Sequence, residues 1–243
     1  MENKIEKLQS MIDRYKRIVF FGGAGVSTES GIPDFRSQDG LYHQKYDYPP
    51  ETILSHTFFI QRTEEFFRFY RDKMLCDTAL PNAAHKKLAE MESKGRLLGI
   101  VTQNIDNLHQ AAGSKRVWEL HGSVHRNYCM RCGKFYGFWD VKNSEGIPRC
   151  TCGGIIKPDV VLYEEGLDSR TIQESIRAIA SADVMIVGGT SLTVYPAAGL
   201  LDYFRGEHLV LINKSSTSRD AGADLVIKEP IGQVFSQLQV KEG

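Results

Sequence analysis

Four cysteines fall into two close pairs, Cys129-x2-Cys132 and Cys150-x-Cys152, separated by seventeen residues. Thiolates at this spacing suit a tetrahedral zinc, although the second pair is one residue tighter than the usual C-x2-C. Four sulfur ligands leave no position for water, so the expected metal site is structural and any catalysis must come from elsewhere. Two disulfides or four unrelated thiols are the competing readings, and a cytosolic, cysteine-poor chain disfavours the disulfides. The fifth cysteine, Cys76, reads as a small buried apolar residue.

Seven histidines compete for a catalytic role. His121 closes the apolar run at residues 117–120 and precedes a glycine, which puts it at the carboxyl end of a strand, where open α/β sheets bind ligands. With an ordinary pKa near ~6.5, an imidazole there can accept a proton at neutral pH. His109 lies in a helical stretch and reads as packed. Gln103, Asn104 and Asp106 follow the strand expected at residues 97–102 and should project over the same edge. Capping the next helix would account for one of the three, not for all.

A glycine-rich turn, Gly22-Gly23-Ala24-Gly25-Val26-Ser27-Thr28, follows the first apolar strand. Glycines there let the backbone approach a pyrophosphate while the next helix points its N-terminus at the charge, although a plain tight turn would use the same residues. A hydride-transferring dehydrogenase would place a third glycine at Thr28 and an acidic residue after the second strand. Neither is present. Gly31-Ile32-Pro33-Asp34-Phe35-Arg36 follows instead, and its glycine and proline preclude continuous helix. We expect a mobile loop that folds over a nucleotide.

Positioning these groups requires a sheet. Short apolar runs at residues 17–22, 97–102, 117–120, 184–189, 209–213 and 225–228 alternate with helical patterns at 82–94, 105–112, 169–181, 196–204 and 233–239. Strands separated by helices imply a parallel, doubly wound sheet of Rossmann-like α/β type. We assign it residues 1–30, 81–122 and 158–243. Residues 31–80, with a helix near 63–75, and 123–157, with the four cysteines, break the rhythm and form a smaller inserted domain containing the zinc ribbon.

The bulk numbers exclude other classes. Thirty basic and thirty acidic residues cancel, so nothing points to nucleic acid as a partner. No apolar stretch approaches ~20 residues, which excludes an ordinary membrane span. The amino-terminal segment is charged, with Ile5, Leu8, Ile12 and Tyr15 at helical intervals, unlike a signal peptide. A cytoplasmic location follows, and a monomer is expected.

The run GAGVSTESGIPDFR at residues 23–36 resembles the opening signature of the sirtuins. Thr102-Gln103-Asn104-Ile105-Asp106, Leu120-His121-Gly122, Gly189-Thr190-Ser191-Leu192 and Leu211-Ile212-Asn213 resemble further sirtuin motifs, in the family's order. The absence of long terminal extensions resembles the small bacterial members. The resemblance implies NAD-dependent removal of acetyl or longer apolar acyl groups from protein lysines, with NAD consumed. It implies that the acyl oxygen attacks the anomeric carbon as nicotinamide leaves, and that His121 then acts as general base on a ribose hydroxyl. Free lysine, nicotinamide and acyl-ADP-ribose would be the products.

By the same resemblance, Ala24, Phe35, Arg36, Ile105 and Asp106 would surround the nicotinamide carboxamide, with Gly25, Thr28 and Asp34 in the same cofactor site. Gln103, Asn104 and His121 would face the nicotinamide ribose. Gly189, Thr190, Ser191 and Asn213 would hold the phosphates and adenosine ribose, and Ile231 would flank the adenine. Val160, Val161, Leu162 and Tyr163 would pair with the backbone of an acyl-lysine peptide or protein as an added strand. The family commonly has Phe-Gly-Glu where this chain has Tyr163-Glu164-Glu165; the extra carboxylate would favour basic peptides or reshape the acyl tunnel. Members that prefer succinyl or malonyl lysine carry a Tyr-x-x-Arg pair, absent at residues 66–73, so an apolar acyl pocket is expected. Two other readings use the same residues: a protein ADP-ribosyltransferase on this scaffold, or a non-enzymatic zinc-ribbon nucleotide sensor.

Overall fold

The computed structural model describes residues 2–34 and 47–242. Phe35 and Arg36 therefore lie outside the described residues.

Helix α1 (Glu2–Arg14) leads into β1 (Ile18–Gly22). Short helices α2 (Pro50–Ile53), α3 (His56–Gln61) and α4 (Thr63–Phe69) follow, with a π-helical turn at Tyr70–Met74. Next come α5 (Ala83–Ser93), β2 (Leu97–Thr102), α6 (Leu108–Ala111) and β3 (Val117–Glu119). Strands β4 (Gly122–Cys129) and β5 (Phe135–Tyr136), helix α7 (Phe138–Lys142) and β6 (Ile156–Val160) form a separate region. The chain closes through α8 (Ser169–Ser181), β7 (Val184–Gly188), a 3-10 segment (Ala197–Tyr203), β8 (His208–Ile212), β9 (Leu225–Ile227) and α9 (Ile231–Ser236).

The main sheet is parallel, in the order β3-β2-β1-β7-β8-β9. All five residues of β1 are buried, as a strand covered by helices on both faces requires. Alternation divides its side chains between two cores. Ile18 and Phe20 join Leu8 and Ile12 of α1, Leu88 and Met91 of α5, and Val234 and Phe235 of α9. Val19 and Phe21 join Ala178 and Ile179 of α8 and Leu200 and Leu201 of the 3-10 segment.

The second sheet is antiparallel, in the order β5-β4-β6. A third core unites both inserted segments: Phe58, Phe59, Phe66, Phe67 and Tyr70 pack with Val124, Val141, Ile156 and Val160. Edge-on rings such as Phe59 and Phe66, with centroids 5.0 Å apart, fill space that these short helices cannot fill with aliphatic ridges alone. Strand β6 runs across the boundary expected at 157/158, because its pairing with β4 continues to Val160.

Several expected elements are shorter or differently wound. The helix expected at 105–112 begins only at Leu108, because Asn107 adopts a left-handed φ of 63°. The stretch 196–204 forms a 3-10 segment, and the helix expected at 63–75 changes to a π turn at Tyr70. Where a helix was expected to open directly at the glycine-rich turn, two 3-10 turns, Ala24–Val26 and Thr28–Ser30, stand instead.

The passage from one sheet to the other depends on Gly122. Its φ is +75°, and a Cβ there would sit 1.9 Å from the Asp159 carbonyl oxygen. Gly122→Ala must separate β4 from β6 or distort the turn. We expect a loss of at least about 2 kcal/mol in denaturant unfolding.

Candidate active site

The carboxyl ends of β1, β2, β3, β7 and β8 open onto a cavity of about 970 Å³. The strand order reverses between β1 and β7, the place where doubly wound sheets bind nucleotides. Ala24, Gly25, Thr28 and Asp34 line the cavity after β1, and Gln103, Asn104, Ile105 and Asp106 line it after β2. His121, Gly189, Thr190, Ser191, Asn213 and Ile231 also line it, and Val160, Val161, Leu162 and Tyr163 form part of its wall. Every expected cofactor and substrate residue among the described residues thus reaches one cleft.

The glycines have a second duty. Gly25 N–H donates to the Gly189 carbonyl at 2.8 Å, and a Cβ on Gly25 would lie 2.8 Å from the Gly189 Cα. The turns after β1 and β7 touch backbone to backbone, so glycine is needed there before any ligand arrives.

A polar network binds the walls of the cleft together. Ser27 Oγ donates to Asp106 Oδ2 at 2.6 Å and accepts from Asn104 Nδ2 at 3.0 Å. Asp106 Oδ1 accepts the Leu108 N–H at 2.9 Å, so Asp106 also supports the start of α6. Gln103 Nε2 donates to Thr190 Oγ1 at 3.1 Å, and the Thr190 N–H donates to Asn213 Oδ1 at 2.9 Å. Asn213 Nδ2 is buried without a protein partner among the described residues, a donor that a bound hydroxyl could satisfy. Thr28 turns its hydroxyl inward, donating to the Gly25 carbonyl at 3.0 Å.

Ser27 is the residue that sequence reasoning missed. It is buried at 1% exposure and links Asn104 to Asp106. Its position inside the glycine-rich turn was the available signal, because a buried hydroxyl needs partners. The hydroxyl-rich stretch Ser215, Ser216 and Thr217 beyond Asn213 also reaches the cavity.

His121 is half-buried between the two sheets. Its Nδ1 lies 3.0 Å from the Gln103 carbonyl oxygen. A carbonyl only accepts, so Nδ1 carries the proton and Nε2 keeps its lone pair. Burial lowers the His121 pKa against the opposing pull of the Gln103 carbonyl, which favours this neutral form. The His121 carbonyl accepts the Val161 N–H at 3.0 Å, joining His121 to the 160–163 wall.

His109, as expected, is packed: it lies in α6 at 2% exposure, 4.8 Å between ring centroids from His85. Burial pushes His85 down to about 4 and His109 well below the ordinary value.

Cys129, Cys132, Cys150 and Cys152 converge, with all four sulfurs within 4.8 Å of one another. Pairs at 3.5 Å and 3.6 Å are far longer than a disulfide and close to the ~3.8 Å edge of a tetrahedral ZnS4 unit. The donor set therefore fits one structural zinc. Cys76 departs from its expected burial: it is exposed and reaches the cavity rim beyond the π turn. Helix α4 turns its aromatic side chains into the core, leaving the following loop at the surface.

Two outcomes follow from this chemistry. Chelation of the metal should release one zinc per chain and expose the β4-β5-β6 region to protease, because zinc binding contributes about 10–16 kcal/mol in small sites. His85, His109 and His121 have lowered folded pKa values, so the unfolded chain binds their protons at higher pH. Their contribution is complete above about pH 6.5 and is lost as pH falls through the folded values. The thermal midpoint should decline on acidification from pH 7 towards 4, and His85→Gln should flatten that decline.

The Sir2 family profile matches residues 23–196. The NAD-dependent protein deacetylase of Clostridium acetobutylicum is 61% identical over 237 residues, covering 96% of this chain and 97% of the relative. That of Cutibacterium acnes is 52% identical over 236 residues, covering 96% of this chain and 97% of the relative. Among solved structures, Sir2 with p53 peptide and NAD+ is similar at a TM-score of 0.84 and 38% identity, covering 96% of each chain. A Sir2 histidine-to-alanine variant with deacetylated p53 peptide and 3'-O-acetyl ADP ribose has a TM-score of 0.88 at 38% identity, again over 96% of each chain. The family match over most of the chain and similarity to such relatives along nearly the whole length show that this chain belongs to the Sir2 family.

Proposed function

We propose that the protein is an NAD-dependent protein-lysine deacetylase that transfers the acetyl group to ADP-ribose and releases nicotinamide. The observation that carries this reading is His121. It presents an unprotonated Nε2 in a cavity bounded on one side by the nucleotide-type sheet edge and on the other by residues 160–163. A nucleotide sensor has no need of such a base, and a hydride-transfer site would carry the third glycine and the ribose acid that this chain lacks.

NAD fits the cleft on the chemistry of its walls: glycine backbone after β1, hydroxyls at Thr190 and Ser191, and Asn213 Nδ2, a donor without a partner among the described residues, for a ribose. As co-substrate it supplies an anomeric carbon activated by the nicotinamide leaving group. Ser27, Asn104 and Asp106 hold the pocket in which the nicotinamide end is oriented, with Ala24 and Ile105 beside them. Gln103 positions His121 through its carbonyl and reaches Thr190 through its amide. Ile231, buried at the start of α9, closes the adenine end.

The acyl-lysine peptide lies along Val160–Tyr163, and its acyl oxygen attacks the anomeric carbon. His121 Nε2 then accepts a proton from a ribose hydroxyl, which attacks the acyl carbon; water supplies the remaining oxygen as the carbon–nitrogen bond to lysine breaks and the free amine leaves. Leu54, Met74, Ile105, Val124 and Leu162 give the cavity apolar walls suited to acetyl or a longer apolar acyl chain. The zinc is architectural. Balanced charge and unpaired cysteines support a cytoplasmic enzyme without a nucleic-acid partner. Among the described residues, no helix is long and apolar enough to cross a membrane.

The test is product analysis with NAD and a panel of acyl-lysine peptides. Equal amounts of nicotinamide, free lysine peptide and acyl-ADP-ribose are expected. Nicotinamide release with label on protein and no deacylated peptide would establish ADP-ribosyl transfer instead. His121→Ala should lower kcat by at least about 100-fold while calorimetric NAD binding persists. In the wild type, the acid limb of kcat/KM should fall below the ordinary histidine value of ~6.5, since burial lowers the His121 pKa.

A further inference from the structure

Beyond the catalytic base, the segment after β6 is fastened to α3 in a way that the proposed reaction does not use. Tyr163 N–H donates to the Leu54 carbonyl at 3.0 Å, and the His56 N–H donates to the Tyr163 carbonyl at 2.9 Å. Ser55 and Tyr163 therefore form a parallel bridge. The next N–H of α3, on Thr57, donates to Glu164 Oε2 at 2.8 Å, and the Thr57 hydroxyl donates to the same oxygen at 2.7 Å. Ser55 Oγ accepts the Phe58 N–H at 3.1 Å. The first three N–H groups of α3 are thus satisfied, two of them by residues 163 and 164.

Glu164 makes these bonds from a left-handed backbone with φ of 75°, a conformation that glycine adopts freely and a β-carbon disfavours. Glu165 continues the fastening: its carboxylate accepts from His56 Nδ1 at 2.9 Å, Lys157 Nζ at 3.1 Å and the Leu162 N–H at 2.9 Å. Both carboxylates are turned to acceptors' work within the protein. Glu164 itself lines the cavity, next to the wall at 160–163.

We infer that Glu164 is a positioning residue for the peptide substrate: its carboxylate pins the 160–163 strand to α3 and holds that strand in the extended form that a peptide backbone can pair with. This rests on the deacetylase reading and on peptide pairing along residues 160–163. Ordering the strand in advance lowers the entropy lost when a peptide adds to it, so the effect belongs in peptide binding and not in the NAD site. The role depends on an acceptor oxygen, not on negative charge offered to the peptide.

Steady-state kinetics on three variants tests this. Glu164→Gly removes the carboxylate while relieving the left-handed backbone, so it reads the lost contact in a folded protein. Its peptide KM should rise about fivefold, the factor that loss of one helix cap corresponds to, with KM for NAD and kcat within about twofold of wild type. Glu164→Gln keeps an acceptor for Thr57 and should restore peptide KM to within about twofold of wild type. Thr57→Val removes the hydroxyl donor from the other side and should raise peptide KM in the same direction. An unchanged peptide KM in Glu164→Gly would overturn the inference. So would Glu164→Gln as impaired as Glu164→Gly, which would make charge the active property. A wild-type protein that binds NAD but deacetylates no peptide would overturn the deacetylase reading, and this inference with it.

Discussion

The junction at His121 and Gly122 is the constraint from which the site is built. Main-sheet strand β3 ends at Glu119, and antiparallel β4 begins at Gly122, so only Leu120 and His121 separate the two sheets. Gly122 lies so close to the Asp159 carbonyl that no side chain fits, which brings β6 directly beside the turn. Arg126 braces the same corner, its guanidinium bonded to Glu119 at the end of β3 at 2.6 Å and to Asp159 in β6 at 2.7 Å. His121 is thereby held between a nucleotide-type sheet edge and the wall at residues 160–163. Neither sheet alone would orient it.

From that junction outward, the cleft is organised by polar groups that satisfy one another. Ser27, Asn104 and Asp106 connect the turns after β1 and β2, and Gln103, Thr190 and Asn213 connect β2, β7 and β8. Such links place side chains with little freedom to relax, which is the condition for a preorganised site. The zinc-type cluster acts at longer range. It closes the loop-rich end of the second sheet, whose β4 and β6 strands carry the wall back to His121.

Much of this was legible in the order of residues. Continuous apolar runs such as Ile18–Gly22 mark strands buried on both faces, and the paired cysteines mark a metal. His121 was distinguishable from His109 because one ended a strand and the other sat in a helical pattern. Helix windings were less legible. Asn107 in a left-handed conformation delays α6, and the turn after β1 winds as 3-10 because Gly25 is drawn onto Gly189. Cys76 was misjudged, since composition cannot say which side of a helix end faces the core.

By itself, then, the sequence determined the alternation of strands and helices and singled out His121 and the two cysteine pairs as candidates, because periodicity and residue chemistry are local properties. The tertiary structure decided what those groups meet. The tautomer of His121 comes from a carbonyl eighteen positions away, at Gln103. The duty of Ser27 comes from Asp106, seventy-nine positions away. The extra carboxylate of Glu164, which in sequence suggested a charge for the peptide or a reshaped acyl tunnel, is bonded to Thr57 across the chain. Hydrogen bonds of that reach are set by how the two sheets pack, and no local pattern encodes them.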